Sequence, residues 1–227
     1  MVLRRGKELA KVSPLRKPAL RRTSSQKGCS SLDLQVKSGN FNEAAANLGK
    51  ALAIQECTPG VSPVVVADTI GALGELAYSQ GEYLKAESYF GRQLNMLRQQ
   101  SPNSERQIAD SLTELAMAVQ QTRSDYARAR ALNEEALGIR RRIFSAAHVG
   151  ISESLNNLAM VYYRSKDYTA AEPLFKESLA MNRLLFGDVH PEVSANLNNL
   201  GLVARDRGDS RKADELLGQA VAMDRTL

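Results

Sequence analysis

Apolar residues along this chain recur at helical spacing, and the stripes they form recur again at a longer one. Leu155, Leu158, Ala159 and Tyr162 fall at i, i+3, i+4 and i+7, which is one face of a helix. The same stripe appears as Ile70, Leu73, Gly74, Ala77, as Leu112, Leu115, Ala116, Val119, and as Leu197, Leu200, Gly201, Ala204. A second stripe follows each, for example Tyr168, Ala171, Phe175 and Leu179. Phe41, Tyr83, Tyr126, Tyr168 and Ser210 open these second stripes at intervals of 42, 43, 42 and 42 residues. Ala44, Ala86, Ala129, Ala171 and Ala213 follow each by three. The pattern predicts an all-α solenoid of antiparallel helix pairs, about four and a half repeats long. In such an array each pair buries its apolar faces only against its neighbours. The one extra residue falls in the turn Thr122–Asp125, where an insertion costs little chain entropy.

Punctuation residues agree with this register. Gly39, Gly81 and Gly208 suit the ends of first helices, where left-handed backbone is common. Asn40, Asp125, Asp167 and Asp209 are placed to cap the second helices. Ser62-Pro63 reads as an N-cap followed by a first-turn proline. Pro173 is expected near the first turn of its helix, where a missing N–H costs little. Gly74, Ala116, Ala159 and Gly201 occupy one repeat position, and their small size predicts a close approach of the two helices of each pair.

Leu73-Gly74 with Ala86 and Phe90, and Leu200-Gly201 with Ala213, resemble the tetratricopeptide pattern of a Leu-Gly pair followed by spaced Ala and Phe. The 42-residue period, with the phrases HPEVSANLNNLG, SLNNLA and YTAAEPLFKESL, is similar to the kinesin-light-chain type of repeat. The resemblance covers about residues 30–227. It implies a non-catalytic scaffold that binds a protein or peptide in a concave groove lined by the first helices. Kinesin light chains carry a heptad coiled coil before their repeats, and residues 1–28 show no sustained heptads, so a motor-subunit role does not follow. A regulatory repeat fragment of a larger motor or enzyme is an alternative. The repeats begin and end raggedly, which leaves self-association through the C-terminal end (Leu216, Leu217, Val221, Met223) or a truncated gene model as further expectations.

Helical spacing puts Asp68, Ala72, Glu75 and Ser79 on the groove side of the first of these helices, and Asp110, Glu114, Met117 and Gln121 on the next. Glu153, Asn157, Met160 and Arg164 follow, then Ala195, Asn199, Leu202 and Asp206. Asn157 and Asn199 are the leading peptide-binding candidates, because an amide can pair with both groups of an extended backbone. The resemblance supports peptide-clamping Asn at these places, with Asn156 and Asn198 beside them facing a partner or the neighbouring repeat. Solvation or bonding across repeats is the plainer alternative. The acids argue against a clamp for an acidic chain terminus, which needs Lys or Arg. Peptides with basic residues and favourable charge near helix N-termini are the two explanations, and the second is preferred.

Charge divides the chain. Residues 1–28 hold nine Lys/Arg against Glu8, and residues 29–227 hold 21 basic and 24 acidic residues. The basic segment reads as a disordered tail, a mitochondrial or chloroplast transit peptide, or a nuclear address or anionic contact. A cytoplasmic location is expected, or an organelle with an assembly or adaptor role if the segment is a transit peptide. Arg21-Arg22-Thr23-Ser24 resembles a basic-directed kinase site with Ser24 as acceptor. Arg140-Arg141-Arg142 reads as a solvated helix face, and specific nucleic-acid binding is not expected.

Catalytic chemistry finds no constellation. His148 and His190 occupy one repeat position just before successive first helices, which the repeat explains better than a metal or an acid–base pair. Cys29 and Cys57 fit neither a zinc site nor a disulfide framework. No cofactor or metal is expected, and no run of apolar residues is long enough to span a membrane.

Overall fold

The computed structural model describes residues 41–100, 104–123, 125–144 and 147–227. Residues 1–28 with Ser24, and Cys29, Gly39 and Asn40, lie outside the described residues. The elements are all helical: α1 (Phe41–Cys57), α2 (Pro63–Ser79), α3 (Tyr83–Gln99), α4 (Glu105–Arg123), α5 (Tyr126–Ile143), α6 (Val149–Arg164), α7 (Tyr168–Phe186), α8 (Pro191–Asp206) and α9 (Ser210–Asp224). Helix α1 has the register of a second helix. Four pairs follow, α2/α3, α4/α5, α6/α7 and α8/α9, as the period predicts.

Each helix packs on the one before and the one after it. Beyond chain neighbours, α2 meets α4 and α4 meets α6, while no two second helices approach as closely. The array therefore curves around its first helices, and α2, α4, α6 and α8 form the concave layer.

The small-residue seam is as tight as its composition requires. A Cβ on Gly74 would lie 2.6 Å from Phe90 Cε1, and one on Gly201 would lie 2.7 Å from Leu217 Cγ. Ala116, Ala159 and the alanines Ala44, Ala86, Ala129 and Ala171 are fully buried. The third register of this seam differs in kind. Phe90, Phe175 and Leu217 are matched in α5 by Asn133, 1% exposed, whose Nδ2 donates to the Ala129 carbonyl at 2.9 Å. Its buried Oδ1 has no hydrogen-bond partner among the described residues.

Turns repeat one geometry. Gly81, Lys166 and Gly208 have φ of 80°, 65° and 88°. The next residue's N–H then bonds back to a helix carbonyl (Glu82 to Ala77, Asp167 to Tyr162, Asp209 to Ala204), each at 2.9 Å. Lysine thus takes a left-handed backbone where the two neighbouring turns use glycine. Asp125, Asp167 and Asp209 each accept an N–H three residues on, at 3.0–3.1 Å, as capping predicts. Ser62 occupies its cap position without a side-chain bond. Pro173 is the sixth residue of α7, a turn deeper than expected.

His148 and His190 are helix caps. Their Nδ1 atoms accept the N–H groups of Gly150 and Glu192 at 3.0 and 3.2 Å. Their rings stack on Phe144 and Phe186 at 3.6 and 4.2 Å between centroids. Burial first, then Arg106 and Arg140, lower the His148 pKa, which keeps Nδ1 available as an acceptor.

Candidate functional site: the concave layer

The two layers carry opposite charge. Helices α2, α4, α6 and α8 contain eight acidic and four basic residues, whereas α1, α3, α5, α7 and α9 contain ten acidic and thirteen basic. On the convex side these charges pair across every step between second helices. Arg92 meets Glu56, Arg98 meets Glu135 at 2.7 Å, Arg128 meets Glu87, Arg141 meets Glu177 at 2.7 Å, and Lys212 meets Glu172 at 2.7 Å. Hydrogen bonds from Lys212 and then Lys176 hold the Glu172 carboxyl down at about 2.

On the concave side like charges meet. Burial pushes Glu114 well above the usual carboxylate range, and the Glu75 and Asp110 carboxylates push it further. Arg140 opposes them from behind. Its place corrects the solvated reading of the arginine run. Arg140 is 6% exposed in the α4–α5–α6 seam. It donates to Asp110 Oδ1 at 2.7 Å, Thr113 Oγ1 at 2.9 Å and Ser154 Oγ at 2.6 Å. Arg141 and Arg142 are exposed and pair with Glu177 and Glu105.

The candidate amides divide by position. Asn199 is 9% exposed, and its Nδ2 donates to Asn156 Oδ1 at 2.9 Å across the repeat junction. Asn157 and Asn198 are half-buried, and neither makes a side-chain hydrogen bond among the described residues. Met117, Met160, Arg164 and Glu114 are half-buried on the same layer, and Met160 packs against the α6–α9 core. At the C-terminal rim Tyr163 donates to Asp206 Oδ2 at 2.6 Å, and burial foremost, with Asp206, pushes its hydroxyl up to about 12. Deeper in the same seam, Ser152, Ser178, Asn182 and Asn196 form a closed network, with Asn182 donating to Asn196 Oδ1 at 2.6 Å and Ser152 to Asn182 Oδ1 at 2.6 Å. Spacing did not single out Tyr163 or Arg140. The available signal was an offset of one residue beyond the period, which separates Tyr163 from Asp206 and Asn156 from Asn199.

Among the described residues no group of His, Cys, Asp or Glu is arranged to hold a metal, and no helix is long and apolar enough to cross a membrane. Leu216, Leu217, Val221 and Met223 are half-buried, with Leu216 and Met223 against the α6–α9 core.

Tetratricopeptide-repeat profiles match residues 108–150 and 150–226. The chain is a tetratricopeptide-repeat protein. BtubC (BKLC) from P. vanneervenii shares 25% identity over 86% of this chain and 77% of its own, with a TM-score of 0.77. A putative kinesin light chain of Podosopora anserina with nearly identical TPR-like repeats shares 20% over 86% and 92%, at 0.73. A Rap protein complexed with Competence and Sporulation Factor shares 17% over 85% of this chain and 52% of its own, at 0.67. The fold is thus common to kinesin-light-chain and Rap proteins, and likeness does not single out the former. No curated protein matches the sequence.

Proposed function

We propose that this tetratricopeptide-repeat protein binds an extended segment of a partner protein along its concave layer, as a scaffold of the kinesin-light-chain-like, 42-residue type. One observation carries the reading: Asn157 stands half-buried on the inner face with its amide unspent among the described residues, one repeat before Asn199. The Asn156 bond fixes the Asn199 side chain, so the second amide is pre-oriented. A peptide backbone crossing both would meet two amides with donor and acceptor groups at the spacing of one repeat. Met117 and Met160 add adaptable apolar contact, and Glu114 and Arg164 bracket it in charge. The Rap conjugation gene regulator of plasmid pLS20, the same fold at 15% identity, is known in complex with the Phr* peptide, which supports peptide capture by such arrays. Peptides selected from a random display library against the full chain provide the test. They should lose at least tenfold in affinity, about 1.4 kcal/mol, on Asn157→Ala/Asn199→Ala with the helical spectrum unchanged. Equal affinity for both proteins would remove the clamp.

A further inference from the structure

We propose that α5 is a joint in the array, where the α4/α5 pair opens locally ahead of its neighbours because its seam admits water at Asn133. The inference goes beyond the groove reading and does not depend on what the groove binds. Position alone predicts the reverse. Helix α5 is the fifth of nine helices among the described residues, and an array held by nearest-neighbour contacts frays from its ends. The composition of the seam outweighs position. The register that packs each second helix on its partner is apolar at Leu48, Phe90, Phe175 and Leu217 and polar at Asn133. The small-residue position is alanine in both α4/α5 (Ala116) and α6/α7 (Ala159), so nothing there makes up for the step from Phe175 to Asn133. Asn133 is 1% exposed, yet its Oδ1 accepts no hydrogen bond among the described residues. Comparable buried oxygens in the other seams are served. Gln93 Oε1 accepts from Ser111 at 3.2 Å, Asn182 Oδ1 from Ser152 at 2.6 Å, and Asn196 Oδ1 from Asn182 at 2.6 Å. A buried acceptor without a donor favours any state in which water reaches it.

The apolar core also changes at this helix. One group of packed side chains runs from Ala67 to Ile139, with Val161 from α6, and another runs from Ala159 to Ala220. A small group around Leu137, Ile151, Leu155 and Leu158 lies between them. Two turns apart on one face, α5 buries Asn133 and Arg140 where α3 buries Phe90 and Leu97. Arg140 is tied to Asp110, Thr113 and Ser154 and fixes the C-terminal end of α5, so the opening is centred on residues 129–137. The C-terminal half of α4, with Met117 and Gln121, packs against that stretch and moves with it, which changes the width of the concave layer between its two halves.

Amide hydrogen exchange of the full chain, resolved by residue and divided by intrinsic rates, reads this out. Residues 129–137 should exchange about tenfold faster or more than the same register in α3 (residues 86–94) and α7 (residues 171–179), a difference of about 1.4 kcal/mol. Protection in α5 equal to or above that in either reference helix overturns the proposal. Asn133→Leu supplies the residue type that α9 carries at this register, Leu217, across from an alanine like the one that α6 sets against the larger Phe175. It should slow exchange in α5 about tenfold and leave α3 and α7 within about twofold, because distant sites respond independently. Unchanged exchange in α5 would mean that Asn133 is not the cause. Equal slowing in all three helices would mean that exchange runs through global unfolding and that the array has no joint. Either result overturns the proposal, and the comparison of helices in the unaltered protein stands whether or not the variant folds.

Discussion

The concave and convex layers are built from the same repeat yet hold together by different means. Second helices are joined by ion pairs, one or more at every step, between exposed cations and carboxylates that are exposed at Glu56, Glu135 and Glu177 and half-buried at Glu87 and Glu172. First helices are joined by amide and hydroxyl contacts such as Asn199 with Asn156 and Tyr163 with Asp206, while their carboxylates crowd. Exposed ion pairs contribute little each, typically under 1 kcal/mol, so the convex layer is held mainly by the buried seam beneath it. The concave layer keeps polar groups half-buried and like charges close. That arrangement costs stability locally, as binding surfaces commonly do.

The largest test of this contrast strikes the point where the layers meet. Arg140→Ala leaves Asp110 without its buried partner and strips Thr113 and Ser154 of a charged donor. Breaking such a pair typically costs 3–5 kcal/mol, and because Asp110 keeps some contact with water the expectation here is about 3 kcal/mol in urea unfolding. Arg141→Ala on the same helix removes only an exposed pair and should cost under about 0.5 kcal/mol. Equal losses would mean that Arg140 does not join the layers.

Next in size is the apolar seam. Gly74→Leu drives a side chain into Phe90, where even a Cβ would lie at 2.6 Å. Overpacking of this kind costs about 1–3 kcal/mol, and the unfolding midpoint should fall accordingly. An unchanged midpoint would show that the first pair can spread without penalty.

This seam was legible in the sequence, because small residues at one repeat position have a steric cause that spacing alone reveals. Three of the caps were legible from their repeat position as well: Asp125, Asp167 and Asp209 immediately precede the last three second stripes. Arg140 was not. Three consecutive arginines look like one charged face, but each residue turns the helix by about 100°, so one points inward while its neighbours point out. Nor did the stripes show the junction pairs. A first helix meets the next one with a stagger of one residue, so Asn156 bonds Asn199, not its own repeat equivalent Asn198. Asn133 was visible as a break in the Phe90/Phe175 register, but its unpaired buried Oδ1 needed coordinates.

The layers should also answer pH with opposite sign. Glu172 has a folded pKa lowered to about 2, so it contributes stability above the unfolded carboxylate value and loses it as pH falls toward 2. Glu114 has a folded pKa raised by burial and by Glu75 and Asp110. Its neutral form is favoured in the fold, so stability is higher below the unfolded value and is lost as pH rises through the raised folded one. Melting temperature should therefore climb as pH drops from neutrality, pass a maximum, and fall under about pH 4. Glu114→Gln should flatten the climb, and Glu172→Gln the fall. A climb that survives Glu114→Gln would place its source elsewhere.

The smallest effect separates the layers by backbone alone. Gly91 lies mid-way along α3, and a Cβ there would find nothing within 4 Å. Its φ is helical, so alanine fits without strain, and a glycine inside a helix carries an entropic cost of about 0.5–1 kcal/mol relative to alanine. Gly91→Ala should therefore raise stability by about that amount, whereas Gly71→Ala, on the first helix of the same pair, should lower it. A Cβ on Gly71 would lie 2.3 Å from Gln93 Nε2, and Gln93 accepts a hydrogen bond from Ser111 at 3.2 Å in the junction with α4. One substitution made on two helices of one pair thus acquires opposite signs, because on α3 it meets solvent and on α2 it displaces a side chain that ties two repeats together. If both substitutions stabilise, Gln93 has moved aside freely, and the polar contacts between repeats constrain the array less than the packed glycines do.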